Sequence, residues 1–119
     1  MEALSEHETF EKMLGRIPLA EGETIPEFAV VYFTARWCGA CKRLSLPDIM
    51  LTPLPQGAKW YKCDVDENTY TAGYCGINSI PSFLVVARKQ VLGQMTSSNT
   101  ATVCAWLAEM AAKFQSGSK

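Results

Sequence analysis

The stretch Phe28-Ala29-Val30-Val31-Tyr32-Phe33, and just beyond it Trp37-Cys38-Gly39-Ala40-Cys41-Lys42, decides the fold. An apolar run without polar alternation is how a strand covered on both faces reads. Two cysteines separated by two residues, directly after such a strand, place a pair of thiols where a strand hands over to a helix. The rest of the chain supplies what a doubly covered strand needs. The 119 residues suit one domain, and 48% hydrophobic residues suffice for one core.

Working outward, Phe10, Met13, Leu14 and Ile17 recur at helical spacing after Ser5, which predicts a first helix ending near Gly15 and Pro18. A second helix is expected from Cys38 to about Met50, bent or ended near Pro47. Residues Trp60 to Val65 read as a strand, and Glu67 to Tyr74 as a short helix closed by Gly76, with Asp64, Asp66 and Glu67 read as its capping acids. Ser82 to Ala87 and Val91 to Met95 read as two strands joined at Arg88-Lys89-Gln90. Ser98 and Asn99 open a last helix with Val103, Leu107, Met110 and Phe114 on one face. Strands alternating with helices predict an α/β fold, a mixed sheet covered on both faces. Residues 1–114 read as a single domain and 115–119 as a frayed tail.

A net charge of −1 gives no electrostatic footprint for nucleic acid or anionic lipid, and no run is apolar enough to span a bilayer. The opening residues Met1-Glu2-Ala3-Leu4-Ser5-Glu6 lack the hydrophobic stretch of a secretory signal. The expected location is cytoplasmic, with a mitochondrial or other organelle form after presequence removal as the alternative. Five cysteines, an odd number, argue for a reducing compartment with one special pair, Cys38 and Cys41, and three ordinary thiols.

Thiol–disulfide exchange needs one thiol to attack a target disulfide and a second to resolve the mixed disulfide. Cys38 in the first turn of a helix would have its sulfur near unpaired N–H groups and the helix dipole, which favours the thiolate; Arg36 and Lys42 add positive charge. Cys41, one turn inward, is expected to lie deeper. The same C-x-x-C is also half of a zinc site, for which Cys63 and Cys75 could supply two more ligands. No second close pair follows, so no metal is expected.

These features together resemble the thioredoxin family. Val30 to Cys41 is similar to its central strand and W-C-G-x-C active site, Asp64-Val65-Asp66 to the end of its third strand, and Ile80-Pro81-Ser82-Phe83 to the loop whose proline is cis and faces the disulfide. The resemblance implies a thioredoxin fold and a thiol–disulfide oxidoreductase that reduces protein disulfides. Cys38 would be the nucleophile and Cys41 the resolving thiol. Trp37, Ile80 and Pro81 would meet the client peptide, the Ile80 backbone by strand addition. Gly39, Ala40 and Tyr32 would support the site. It further implies no bound cofactor, disulfide-containing clients and regeneration by an NADPH-dependent thioredoxin reductase. The sequence leaves oligomeric state open, and nothing in it demands more than a monomer.

Departures from the family pattern leave two alternatives open. Tyr32 stands where a buried aspartate usually lies behind the second cysteine, and a phenol is a poor base at neutral pH. Ala40 replaces the usual proline, Pro47 falls one position late, and Thr96-Ser97-Ser98 lacks a glycine. The alternatives are the same chemistry run as oxidase or isomerase, and a redox-switched adaptor that binds partners through the fold. Elsewhere, Trp60 and Trp106 read as structural, His7 as a solvated side chain, Cys63 and Cys75 as packing thiols and Cys104 as partly exposed.

Overall fold

In the computed structural model, which describes residues 1–117, the run at Phe28 becomes strand β2, Phe28–Thr34, with every residue buried. Its side chains alternate between two cores. Phe28, Val30 and Tyr32 pack with Ile49, Val103 and Leu107, while Ala29, Val31 and Phe33 pack with Phe10, Met13 and Ala72. Fully burying each large apolar side chain contributes roughly 1.5–3 kcal/mol, so a strand apolar on both sides is stable only between two layers.

Those layers are built in chain order from β1 (Glu2–Ala3), α1 (His7–Met13), β2, a 3-10 turn (Ala40–Arg43), α2 (Leu46–Ile49), β3 (Lys59–Asp64), α3 (Thr69–Tyr74), β4 (Ser82–Ala87), β5 (Gln90–Thr96) and α4 (Thr100–Ser116). The sheet runs β1-β3-β2-β4-β5: the first three strands are mutually parallel, β4 pairs antiparallel with β2, and β5 pairs antiparallel with β4. Helices α1 and α3 cover one face, α2 and α4 the other. This is the α/β arrangement expected, a mixed sheet between helical layers. The thiol pair follows the C-terminal end of β2, its central strand.

Several boundaries differ from the expectation, each for a local reason. Strand β1 is too short to show periodicity; it is held by pairing Glu2 with Tyr61 and Ala3 with Lys62. Helix α1 stops at Met13 because Gly15, at φ 75°, takes the left-handed position that ends a helix. The cap of α3 is Asn68, whose Oδ1 accepts from the Thr71 N–H at 3.2 Å, and not the acids before it. Asp64 instead closes its own turn, accepting from the N–H groups of Asp66 and Glu67. Helix α4 carries the expected buried stripe of Val103, Leu107, Met110 and Phe114 but continues through Gln115 to Ser116. Gln115 and Ser116, expected as part of a tail, are thus helical, and 118–119 lie outside the described residues.

The largest departure follows the cysteines. The continuous helix expected from Cys38 to Met50 is instead a four-residue 3-10 turn, an extended break at Leu44 (ψ 141°), and a four-residue α2. Pro47 inside a continuous helix would leave the Arg43 carbonyl without its donor and press its ring against that carbonyl. Breaking at Leu44 and Ser45 puts Pro47 in the first turn of α2, where its missing N–H is harmless.

Candidate active site

Cys38 and Cys41 are joined as a disulfide, their Cα atoms 5.3 Å apart. The turn that presents them is fixed by backbone bonds: Cys38 N–H to Ala35 C=O (3.1 Å), Lys42 N–H to Gly39 C=O (3.1 Å) and Leu44 N–H to Cys41 C=O (3.2 Å). The Cys41 N–H points at Cys38 Sγ, 3.0 Å away. One donor and a single 3-10 turn thus stand where a full helix was expected to favour the thiolate. The two cysteines are both buried, at 3% and 8% exposure, so Cys41 is not the deeper of the pair. Cys38 Sγ lies 3.8 Å from the Ile80 carbonyl.

Of the expected site residues, Cys38, Cys41, Ala40 and Ile80 form one small cluster with Ala35 and Val65. The Ile80–Pro81 bond is cis and Pro81 is buried. Trp37 is 67% exposed, and its Nε1 donates to Asp66 Oδ2 at 2.8 Å. Between Trp37 and Ile77–Ile80, over Val65 and Ala72, runs an open cleft of about 320 Å³. Gly39 is exposed, with open space where a Cβ would stand, so sterics do not demand glycine there. Tyr32 is not part of the cluster; it is buried beneath the other face and stacks on Phe83, ring centroids 5.0 Å apart.

Charge around the pair is modest. Arg36 lies 3.7 Å from Glu67, but both side chains are mostly exposed, so the pair adds little. Asp66 was missed by sequence reasoning as the partner that holds Trp37; its only signal was proximity in the family-like Asp64-Val65-Asp66 segment. The remaining thiols sit elsewhere. Cys63 is buried between β3 and the α1–α3 layer, and burial, with smaller help from Cys75 and Asp64, pushes its thiol up to about 12. Burial pushes Cys75 to about 11. Cys104 is half-buried, as expected. His7 is not a solvated side chain: Nδ1 lies 2.9 Å from Thr71 Oγ1, Nε2 3.2 Å from Glu11, and the ring packs against Tyr70 and Tyr74, docking α1 on α3.

Known proteins agree with this geometry. A protein-family model described as Thioredoxin matches residues 19–109. The chain is 31% identical over 70 residues to the mitochondrial Thioredoxin-3 of Saccharomyces cerevisiae, covering 59% of this chain and 55% of that protein. It is 43% identical over 68 residues to Thioredoxin 2 of Chlorobaculum tepidum, covering 56% and 62%. The chain thus spans less than two thirds of the length of these curated relatives. The crystal structure of Malassezia sympodialis thioredoxin superposes with a TM-score of 0.73 over 92% of both chains at 22% identity, which establishes the thioredoxin fold. On the family match, the matching fold and the disulfide at the end of the central strand, this chain belongs to the thioredoxin family.

Proposed function

We propose that the chain is a thiol–disulfide oxidoreductase that reduces protein disulfides through Cys38 and Cys41, with residues 1–114 working as one thioredoxin-like domain. The observation that carries this reading is the disulfide seated beside an open cleft, with Cys38 Sγ turned toward Ile80.

In the reduced protein the Cys38 thiolate attacks one sulfur of a client disulfide. A Cys38–client bond forms, the client S–S bond breaks, and the departing sulfur takes a proton. Cys41 then attacks Cys38 Sγ, forming the intramolecular disulfide and expelling the second client sulfur, which is protonated in turn. Two electrons and two protons pass to the client. Trp37 and the backbone of Ile80 and Pro81 hold the extended client segment across the cleft. Gly39 and Ala40 keep the turn between the cysteines small enough for that approach. Buried Tyr32, stacked on Phe83, supports the floor of the sheet.

The reading includes disulfide-containing clients, an NADPH-dependent thioredoxin reductase as electron donor, a monomer as the working unit and a cytoplasmic location. The test is a coupled assay in which NADPH, a thioredoxin reductase and a disulfide-bonded test protein are mixed with the chain. NADPH oxidation that depends on the chain and vanishes in Cys38→Ser is the expected result. Wild-type protein with no turnover, from either the reductase or a chemical dithiol, would return the protein to the switched-adaptor reading.

A further inference from the structure

The break at Leu44 leaves Cys41 on an isolated turn, with no continuing helix to hold it. The bonds within the turn hold its shape, and a further hydrogen bond ties the segment that follows it to the rest of the fold. The Ser45 N–H, the first free donor after the break, donates to Thr100 Oγ1 at 2.9 Å in a half-buried setting. Thr100 is the first residue of α4, yet that helix has no need of its hydroxyl, because Asn99 Oδ1 already accepts from the Thr102 N–H and hydroxyl. The Thr100 oxygen is left to serve the segment after the cysteines.

This contact closes a circuit around the disulfide. The Ser97 N–H donates to the Pro81 carbonyl at 3.3 Å, and the Asn99 N–H donates to Ser97 Oγ at 3.1 Å. Thr100 follows Asn99 and accepts from Ser45. Leu44 donates to the Cys41 carbonyl, Cys41 donates to Cys38 Sγ, and Cys38 Sγ meets the Ile80 carbonyl beside Pro81. Between α4 and the segment after the cysteine turn the circuit runs through one hydrogen bond, to the Thr100 hydroxyl, alongside the core that Leu44 shares with Val103 and Leu107.

We infer that Thr100 is a positioning residue for the resolving step, fixing Cys41 over the Cys38 sulfur by tethering the backbone at Ser45. The inference rests on the proposed exchange reaction. In that reaction Cys41 attacks Cys38 Sγ, the Cys38–client bond breaks, and the electron pair leaves on the client sulfur. Its rate and the stability of the resulting disulfide both scale with the effective concentration of Cys41 at Cys38, which small displacements reduce steeply.

Thr100→Val keeps the shape and removes the acceptor; Thr100→Ala removes it while favouring the helix, which guards against a folding failure. In both, resolution of a preformed Cys38 mixed disulfide is expected to slow about tenfold. The Cys38–Cys41 disulfide should become less favoured by the same factor, raising its two-electron potential by about 30 mV. Thr100→Ser should restore both values. The potential is measured in graded glutathione buffers with no client present, so it decides on Thr100 even if wild-type protein fails to reduce protein disulfides, which would overturn the proposed function alone. Unchanged potential and resolution in the Val and Ala variants, even with a lowered melting temperature, would overturn the inference, as would a Ser variant that behaves like Val.

Discussion

Two pairs of cysteines lie in neighbouring clusters that share Val65 and Ile80 as a border, and they have been given opposite chemistry. Cys38 and Cys41 sit three residues apart on one turn, joined to each other, beside a cleft and within reach of the Ile80 backbone. Cys63 and Cys75 come from β3 and the end of α3, and apolar surroundings push both thiols far above their ordinary range, to about 12 and about 11. All of these residues are buried or half-buried, so burial alone does not separate them. Backbone placement and the neighbouring cleft do.

The sharpest way to break the comparison is to remove one sulfur from each pair. Cys38→Ser is expected to lower protein-disulfide reduction by about a thousandfold or more, since it removes the thiol that forms the mixed disulfide in the proposed reaction. Cys75→Ser should change turnover less than about twofold. Comparable losses in the two variants, measured in the coupled assay, would mean that the second pair takes part. Cys41→Ser should instead accumulate the Cys38–client mixed disulfide, visible as a mass adduct.

Alkylation sharpens the same contrast in the oxidised protein. With its thiol near 11 in place of an ordinary 9, Cys75 should react with iodoacetamide about a hundredfold more slowly at pH 8 than an unburied thiol, because the thiolate fraction falls by that factor. Peptide mass mapping of native protein against unfolded protein reads this directly. Equal rates in the two states would remove the claim that burial silences the second pair.

How far this was legible in the sequence follows from the range of the interactions involved. Strand β2 and the buried stripe of α4 could be read because apolar periodicity is local and long enough to count. The cysteine pair and the cis proline were legible through motif resemblance. The broken helix after Cys41 was not, although Pro47 was seen, because proline fixes where a helix fails only within a turn or so. The break settled at Leu44, where its side chain is buried and Ser45 finds Thr100, 55 residues away. His7 was misread for the same reason: its partner Thr71 is 64 residues distant, and no local pattern announces such a pairing. The α3 cap was misread locally, the acids at 64, 66 and 67 standing just before Asn68, whose Oδ1 accepts from Thr71 three residues on.

Tyr32→Asp asks whether the first pair lacks a base. The side chain is buried and stacked on Phe83, so a carboxylate there is expected to destabilise the fold by roughly 3–5 kcal/mol. If the variant folds, resolution of the mixed disulfide near neutral pH should quicken by about tenfold. An unchanged rate in folded protein would show that proton transfer from Cys41 does not limit the step.

The smallest effect tests the second pair through stability. The Cys63 thiol ionises near 12 in the folded protein against about 9 when unfolded. Between those values the unfolded state holds fewer protons, so the stabilising preference for the neutral thiol is intact below pH 9 and is lost as pH rises toward 12. At pH 10 the loss amounts to about 1.4 kcal/mol from this one group. Denaturant unfolding of oxidised protein at pH 8 and pH 10 should therefore show a steeper decline in wild type than in Cys63→Ala, the difference being about that size. Parallel declines would mean that Cys63 ionises in the folded state as readily as in the unfolded chain, and that the contrast between the two pairs lies in access alone.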